Sequence, residues 1–83
     1  MSDYIKERNE VLKHLNVKEF RNFVKKHASI YPKGFIEEFN NASDEVVLVT
    51  MHKMRANATG LSTWVRGYSK RWLADHGYSA EIK

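Results

Sequence analysis

Residues 46–49 are four consecutive apolar side chains, three of them valine, and no other stretch constrains the fold of this chain so tightly. Valine favours strands. A run this short does not by its own periodicity separate a buried strand from a buried helix. A strand, however, must hand its backbone N–H and C=O groups to a partner. The remaining sequence offers one weak partner, "YSAEIK" at residues 78–83. Helix propagation from a cap at Asn41 or Ser43 needs no partner. It puts Val47, Leu48, Met51 and Arg55 on one side and Val46 and Val49 on another, giving a central helix buried over much of its circumference. We therefore expect an all-α fold, a compact single domain of four or five short helices over residues 1–83. An α+β fold with a short strand at 46–51 is the alternative.

The other segments read as helices. Ser2 or Asp3 is placed to cap a first helix running to about Leu15, with Ile5, Leu12 and Leu15 as its apolar stripe and Val11 beside it. Asn16 caps a second helix, with Glu19 at the closing position of a capping box. Val17, Phe20, Phe23, Val24 and Ala28 form its buried face. Pro32 and Gly34 break the pattern, and a short helix in "GFIEEFNNA" turns Phe35, Ile36 and Phe39 inward. The last helix runs from Leu61 to His76, with Leu61, Trp64, Val65, Tyr68 and Trp72 in one apolar sector assigned to the core. Gly77 followed by Tyr78 stops it, the glycine taking the left-handed position.

Length and composition narrow the functions. In 83 residues, a deep enzyme pocket competes with the core for the same side chains. The absence of cysteine excludes disulfides, thiolate zinc sites and thiol chemistry. His14, His27, His52 and His76 lack metal-ligand spacing, and the adjacent Glu37 and Glu38 point to different sides of a helix, a poor acid/base pair. The expectation is a non-catalytic protein without cofactor or metal. No apolar run approaches membrane-spanning length and the first residues lack a signal-peptide core, so a cytoplasmic location is expected.

Charge carries the functional signal. The net charge is +4, and its placement is uneven. Residues 28–45 hold Lys33 against Glu37, Glu38, Asp44 and Glu45, whereas residues 46–74 hold Lys53, Arg55, Arg66, Lys70 and Arg71 with no acid. Two cationic rows emerge, Lys18, Arg21 and Lys25 on the second helix and Arg66, Lys70 and Arg71 on the last. Such rows suit a phosphate backbone, which attracts Lys and Arg without demanding fixed spacing. They also suit simple solvation of a helix face or an acidic protein surface.

The segment "ANATGLS" is similar to the turn of a helix-turn-helix over about seven residues: Ala56, Gly60, Leu61 and Ser62 fall where that pattern has them. The pattern also wants apolar residues just before the alanine and five and eight positions after Leu61. Those slots hold Arg55, Arg66 and Ser69, so the family is not assigned. The leading expectation is a small accessory protein contacting nucleic acid, or a nucleic-acid-handling complex, through backbone contacts. The second is a regulator or inhibitor, of the kind common in phages and bacteria, that binds a protein through Ile36, Phe39, Val46 and Val49. Homodimerisation is compatible with both.

Overall fold

The valine run is helical. The computed structural model describes residues 2–80, Ser2 in its backbone only, and residues 81–83 of the candidate partner strand lie outside the described residues. Five α-helices follow in order: α1 (Ser2–His14), α2 (Val17–Lys26), α3 (Lys33–Asn41), α4 (Asp44–Ala56) and α5 (Thr63–Asp75), with a 3₁₀ turn over Ala28–Ile30. No strand occurs among the described residues. Val47 and Val49 are buried on α4 and Leu48 is partly so. Valine costs a helix roughly half a kcal/mol relative to alanine, whereas burying its side chain returns about 1.5–3 kcal/mol. Packing outweighs propensity, as a central position requires: α4 packs on α1, α2 and α5.

The helix ends follow local chemistry. α1 starts at Ser2, and Asp3 lies in its first turn rather than at the cap position. Leu15 ends α1 in the left-handed region, φ 50°, a conformation that costs a non-glycine residue about 1–2 kcal/mol; its side chain, packed on the core, offsets that cost. Asn16 then caps α2, its Oδ1 accepting the Glu19 N–H at 2.9 Å. Glu19 does not complete the box; its carboxylate meets His14 Nδ1 at 3.0 Å instead. Ser43 caps α4 through the Val46 N–H at 3.3 Å.

The main core joins Val11 and Leu12 of α1, Phe20, Phe23 and Val24 of α2, Phe39 of α3, and Val47 and Met51 of α4. Phe20 meets Phe39 edge-on with centroids 5.7 Å apart, and Tyr4 stacks on Phe23 at 5.5 Å. A smaller cluster of Val49, Ala56 and Leu73 seals α4 against α5.

Two stripes are rotated from their expected positions. On α1, Ile5 is exposed and Tyr4 takes the inward place. On α5, Trp64 is 75% and Tyr68 50% exposed, so the assignment of both to the core is corrected. Leu61, just before α5, is buried as expected and Val65 and Trp72 are partly so, but Ser69 and Leu73 take the inward places of Trp64 and Tyr68. The inward face is turned by roughly 60° at about 100° per residue. The reason lies in α4, which presents His52, Arg55 and Ala56 to α5. Ser69 brings a hydroxyl to His52 on a side chain small enough for the helices to approach closely, which the bulk of Trp64 or Tyr68 does not allow.

Candidate nucleic-acid interface

The turn between α4 and α5 sets where the α5 surface points. Asn57 Nδ2 donates to the carbonyls of Lys53 and Ala80, each at 2.8 Å, tying the end of the described chain to the end of α4. A Cβ at Gly60 would overlap the Asn9 amide, so this turn lies close on α1 and a larger residue there would require the Asn9 side chain to move. Ser62 caps α5 by accepting the Val65 N–H at 3.3 Å. At the far end Gly77, at φ 80°, permits the Tyr78 N–H to reach the Leu73 carbonyl at 2.8 Å and the Gly77 N–H that of Ala74 at 3.1 Å. This double closure is the Schellman motif, and it stops the helix.

Behind that surface the α4–α5 contact is polar and aromatic. His52 Nδ1 and Ser69 Oγ share a buried hydrogen bond of 3.0 Å. The His52 ring stacks on Trp72 with centroids 4.0 Å apart, and Trp72 stacks on His76 at 3.9 Å. Burial pushes the His52 pKa down to about 4, assisted by the nearby charges of Arg55 and His76, so His52 is neutral at pH 7. Arg55 donates from Nη1 to the Leu12 carbonyl at 3.3 Å and from Nη2 to the Val65 carbonyl at 3.5 Å, with its guanidinium 5.6 Å from the Tyr68 ring centre. Burial lowers its pKa while Tyr68 opposes the shift. No carboxylate pairs with it among the described residues.

The three slots at which the sequence departs from the helix-turn-helix pattern point inward all the same. Arg55 and Ser69 are buried and Arg66 is half-buried, its Nε enclosed without a partner. Polar identity did not place them outside; Arg55 and Ser69 find internal partners. The burial phase of α5 is the one that pattern has, although its residues are not.

The six expected phosphate contacts separate into groups. Lys18 and Lys25 on α2 and Lys70 on α5 are exposed, with no ion-pair partner among the described residues. Arg71 is 82% exposed and lies 3.5 Å from Asp75, an exposed pair of little strength. Arg66 is only partly available. Arg21 is withdrawn from the α2 row: its guanidinium donates to the carbonyls of Phe39 at 3.3 Å and Ala42 at 2.7 Å and to Asp44 Oδ1 at 3.1 Å. It caps the end of α3 and clamps the start of α4, a role that lone helix periodicity does not reveal.

The expected protein-contact residues also divide. Phe39 and Val49 are interior, which removes them from any free surface. Ile36 is half-buried and Val46 is 53% exposed. Val46 borders a shallow apolar groove between α3 and α4 floored by Phe35, Phe39, Ala42 and Val47.

Hydrophobic periodicity misses the outward aromatic face. Trp64, Gly67, Tyr68, Lys70 and Arg71 are exposed on α5, and the Trp64 and Tyr68 rings lie 6.2 Å apart with planes 29° from parallel. A signal existed: Val65, Ser69 and Leu73 recur every four residues, and that ridge is the one α5 buries. Among the described residues no group of three His, Asp or Glu could hold a metal, and no helix is long and apolar enough to cross a membrane. Fold and surface together define a small five-helix domain with a cationic, aromatic outer helix. Compared with protein-family models, curated proteins and solved structures, the chain shows no match.

Proposed function

We propose that this protein is a non-catalytic accessory protein that contacts nucleic acid through the outer face of α5. The observation that supports it most is the company Lys70 and Arg71 keep: both are exposed on a helix whose outer side also carries Trp64 and Tyr68. From residue 46 to residue 74 no acid intervenes. Lys18 and Lys25, exposed on α2, are a second, separate source of phosphate contacts.

Arg21 no longer counts toward the contacts, and four exposed cations remain. At about −0.9 per phosphate on a duplex, full engagement gives a log–log salt slope near −3.6, and the α5 face alone a slope near −2. The test is fluorescence anisotropy of labelled 20-nucleotide strands and duplexes across a salt series. Lys70→Glu with Arg71→Glu should cut affinity by at least about tenfold at low salt, with helical content unchanged because both side chains face outward. Unchanged affinity in that double variant refutes the reading.

A protein partner is the second reading, supported by the groove that Val46 borders. Under it, Val46→Lys abolishes complex formation and the charge reversals on α5 do not.

A further inference from the structure

We propose that the outer face of α5 is a stacking platform for unpaired nucleotides, so that the protein holds single strands rather than duplexes. This rests on the nucleic-acid reading above and names the substrate class of the same face.

Three observations carry it. Trp64 and Tyr68 expose their rings one helical turn apart, at 75% and 50%. Their planes are 29° from parallel with centroids 6.2 Å apart, so a base stacked on one ring is oriented to continue onto the next. A folded domain gains nothing by leaving a tryptophan so exposed, whereas base–aromatic stacking makes such rings contributors to binding.

Gly67 is the second observation. It sits inside α5, where glycine weakens a helix relative to alanine. Nothing in the domain explains it: no heavy atom lies within 4 Å of where its Cβ would be. Contrast Gly60, where a Cβ would meet the Asn9 amide. Gly67 lies three residues after Trp64 and four before Arg71, on the same outward side. It leaves bare backbone beside the Trp64 ring, a floor on which a sugar or base edge can rest.

The third observation is charge. Arg71 follows Tyr68 by three residues, on the side of the rings, and Lys70 extends the cationic surface further round the helix. A polyanion whose aromatic faces are free matches both properties at once. A duplex matches one only, because its bases are stacked on one another and present edges rather than faces to a helix in the groove. An apolar protein surface would match the rings but leave Lys70 without a counter-charge and Arg71 with only its exposed Asp75 pair.

The probes are a mixed-sequence 20-nucleotide DNA strand and the corresponding 20-base-pair duplex. The single strand should bind at least about tenfold more tightly than the duplex. In a Trp72→Phe background, which leaves Trp64 as the one tryptophan, the strand should quench the emission. Trp64→Ala and Tyr68→Ala should each weaken strand binding by roughly five- to a hundredfold, the range base–aromatic stacking spans. Gly67→Leu should raise the melting temperature and yet weaken strand binding, a combination that no structural role for Gly67 produces. Duplex binding equal to strand binding, sensitive to Lys70→Glu with Arg71→Glu but indifferent to Trp64→Ala, overturns the stacking platform and leaves the nucleic-acid reading standing. Binding of neither probe overturns both, and directs attention to a protein partner.

Discussion

Lowering the pH toward 4 should loosen the α4–α5 contact through one residue. His52 is 1% exposed and faces Ser69, Tyr68 and Trp72 of α5, with Arg55 on its own helix and His76 beyond Trp72. No carboxylate stands near to welcome a proton, and Arg55 and His76 both oppose one. The pKa is therefore about 4 in the folded chain against 6.5 for an ordinary histidine. The unfolded chain binds the proton more tightly, so this contribution to stability is complete above about pH 6.5. It declines as the pH falls toward 4 and is constant below that. At 1.36 kcal/mol per pH unit the full difference is about 3 kcal/mol. Solvent reaches the edge of the stack through exposed His76, and discounting for that screening leaves about 1–2 kcal/mol. Such a loss lowers the melting temperature of a domain this size by roughly 5–15 °C. The assay is urea denaturation followed by circular dichroism at pH 7.5, 5.5 and 4.0, in the wild type and in His52→Gln. Glutamine can bond Ser69 but does not titrate in this range. Glu7, whose carboxyl is held below its usual pKa by bonds to His27 and then Lys26, titrates in both chains and cancels in the comparison. The wild type should lose about 1–2 kcal/mol more than the variant over this interval. Parallel pH dependences would refute the reasoning.

Two further predictions test the corrected geometry. Leu73→Ala should cost about 2–5 kcal/mol, as removal of a buried leucine does, whereas Trp64→Ala should cost less than about 1 kcal/mol in the same thermal melts, since its ring is in solvent; equal costs would mean that α5 is rotated the other way. Arg21→Ala should cost about 1–2 kcal/mol by freeing the Phe39 and Ala42 carbonyls and Asp44, yet leave nucleic-acid affinity within about threefold; a large loss of affinity at unchanged stability would return Arg21 to the binding surface.

Much of the backbone was legible because its signals are local. Asn16 and Ser43 accept hydrogen bonds from N–H groups three residues ahead, within the reach of their own side chains; Ser62 does the same for α5, which starts at Thr63 rather than at the expected Leu61. Gly77 tolerates the left-handed conformation for a reason internal to glycine. The helical state of residues 46–49 followed from the lack of a partner strand, a property of the whole chain that can still be counted along it. The phase of α2, with Phe20, Phe23 and Val24 inward, was legible because apolar residues of similar size dominate one side.

The rotation of α5 was decided by α4. Hydrophobicity alone places Trp64 and Tyr68 inside, because each is the largest apolar group on its turn. The partner face carries His52 and Arg55, however, and buried polar groups must be hydrogen-bonded. Ser69 bonds His52 and the Val65 carbonyl takes one of the Arg55 donors, leaving the Arg55 Nε without a partner, and turning them inward carries Trp64 and Tyr68 out. Arg21 shows the same division: its charge is written at one position, while the carbonyls it caps come from residues 18 and 21 places away. Sequence by itself determined where α2 and α4 begin and where α5 stops, since those bonds close within a few residues. Tertiary structure decided which face α5 shows to solvent, because that choice depends on the donors and acceptors of the helix opposite.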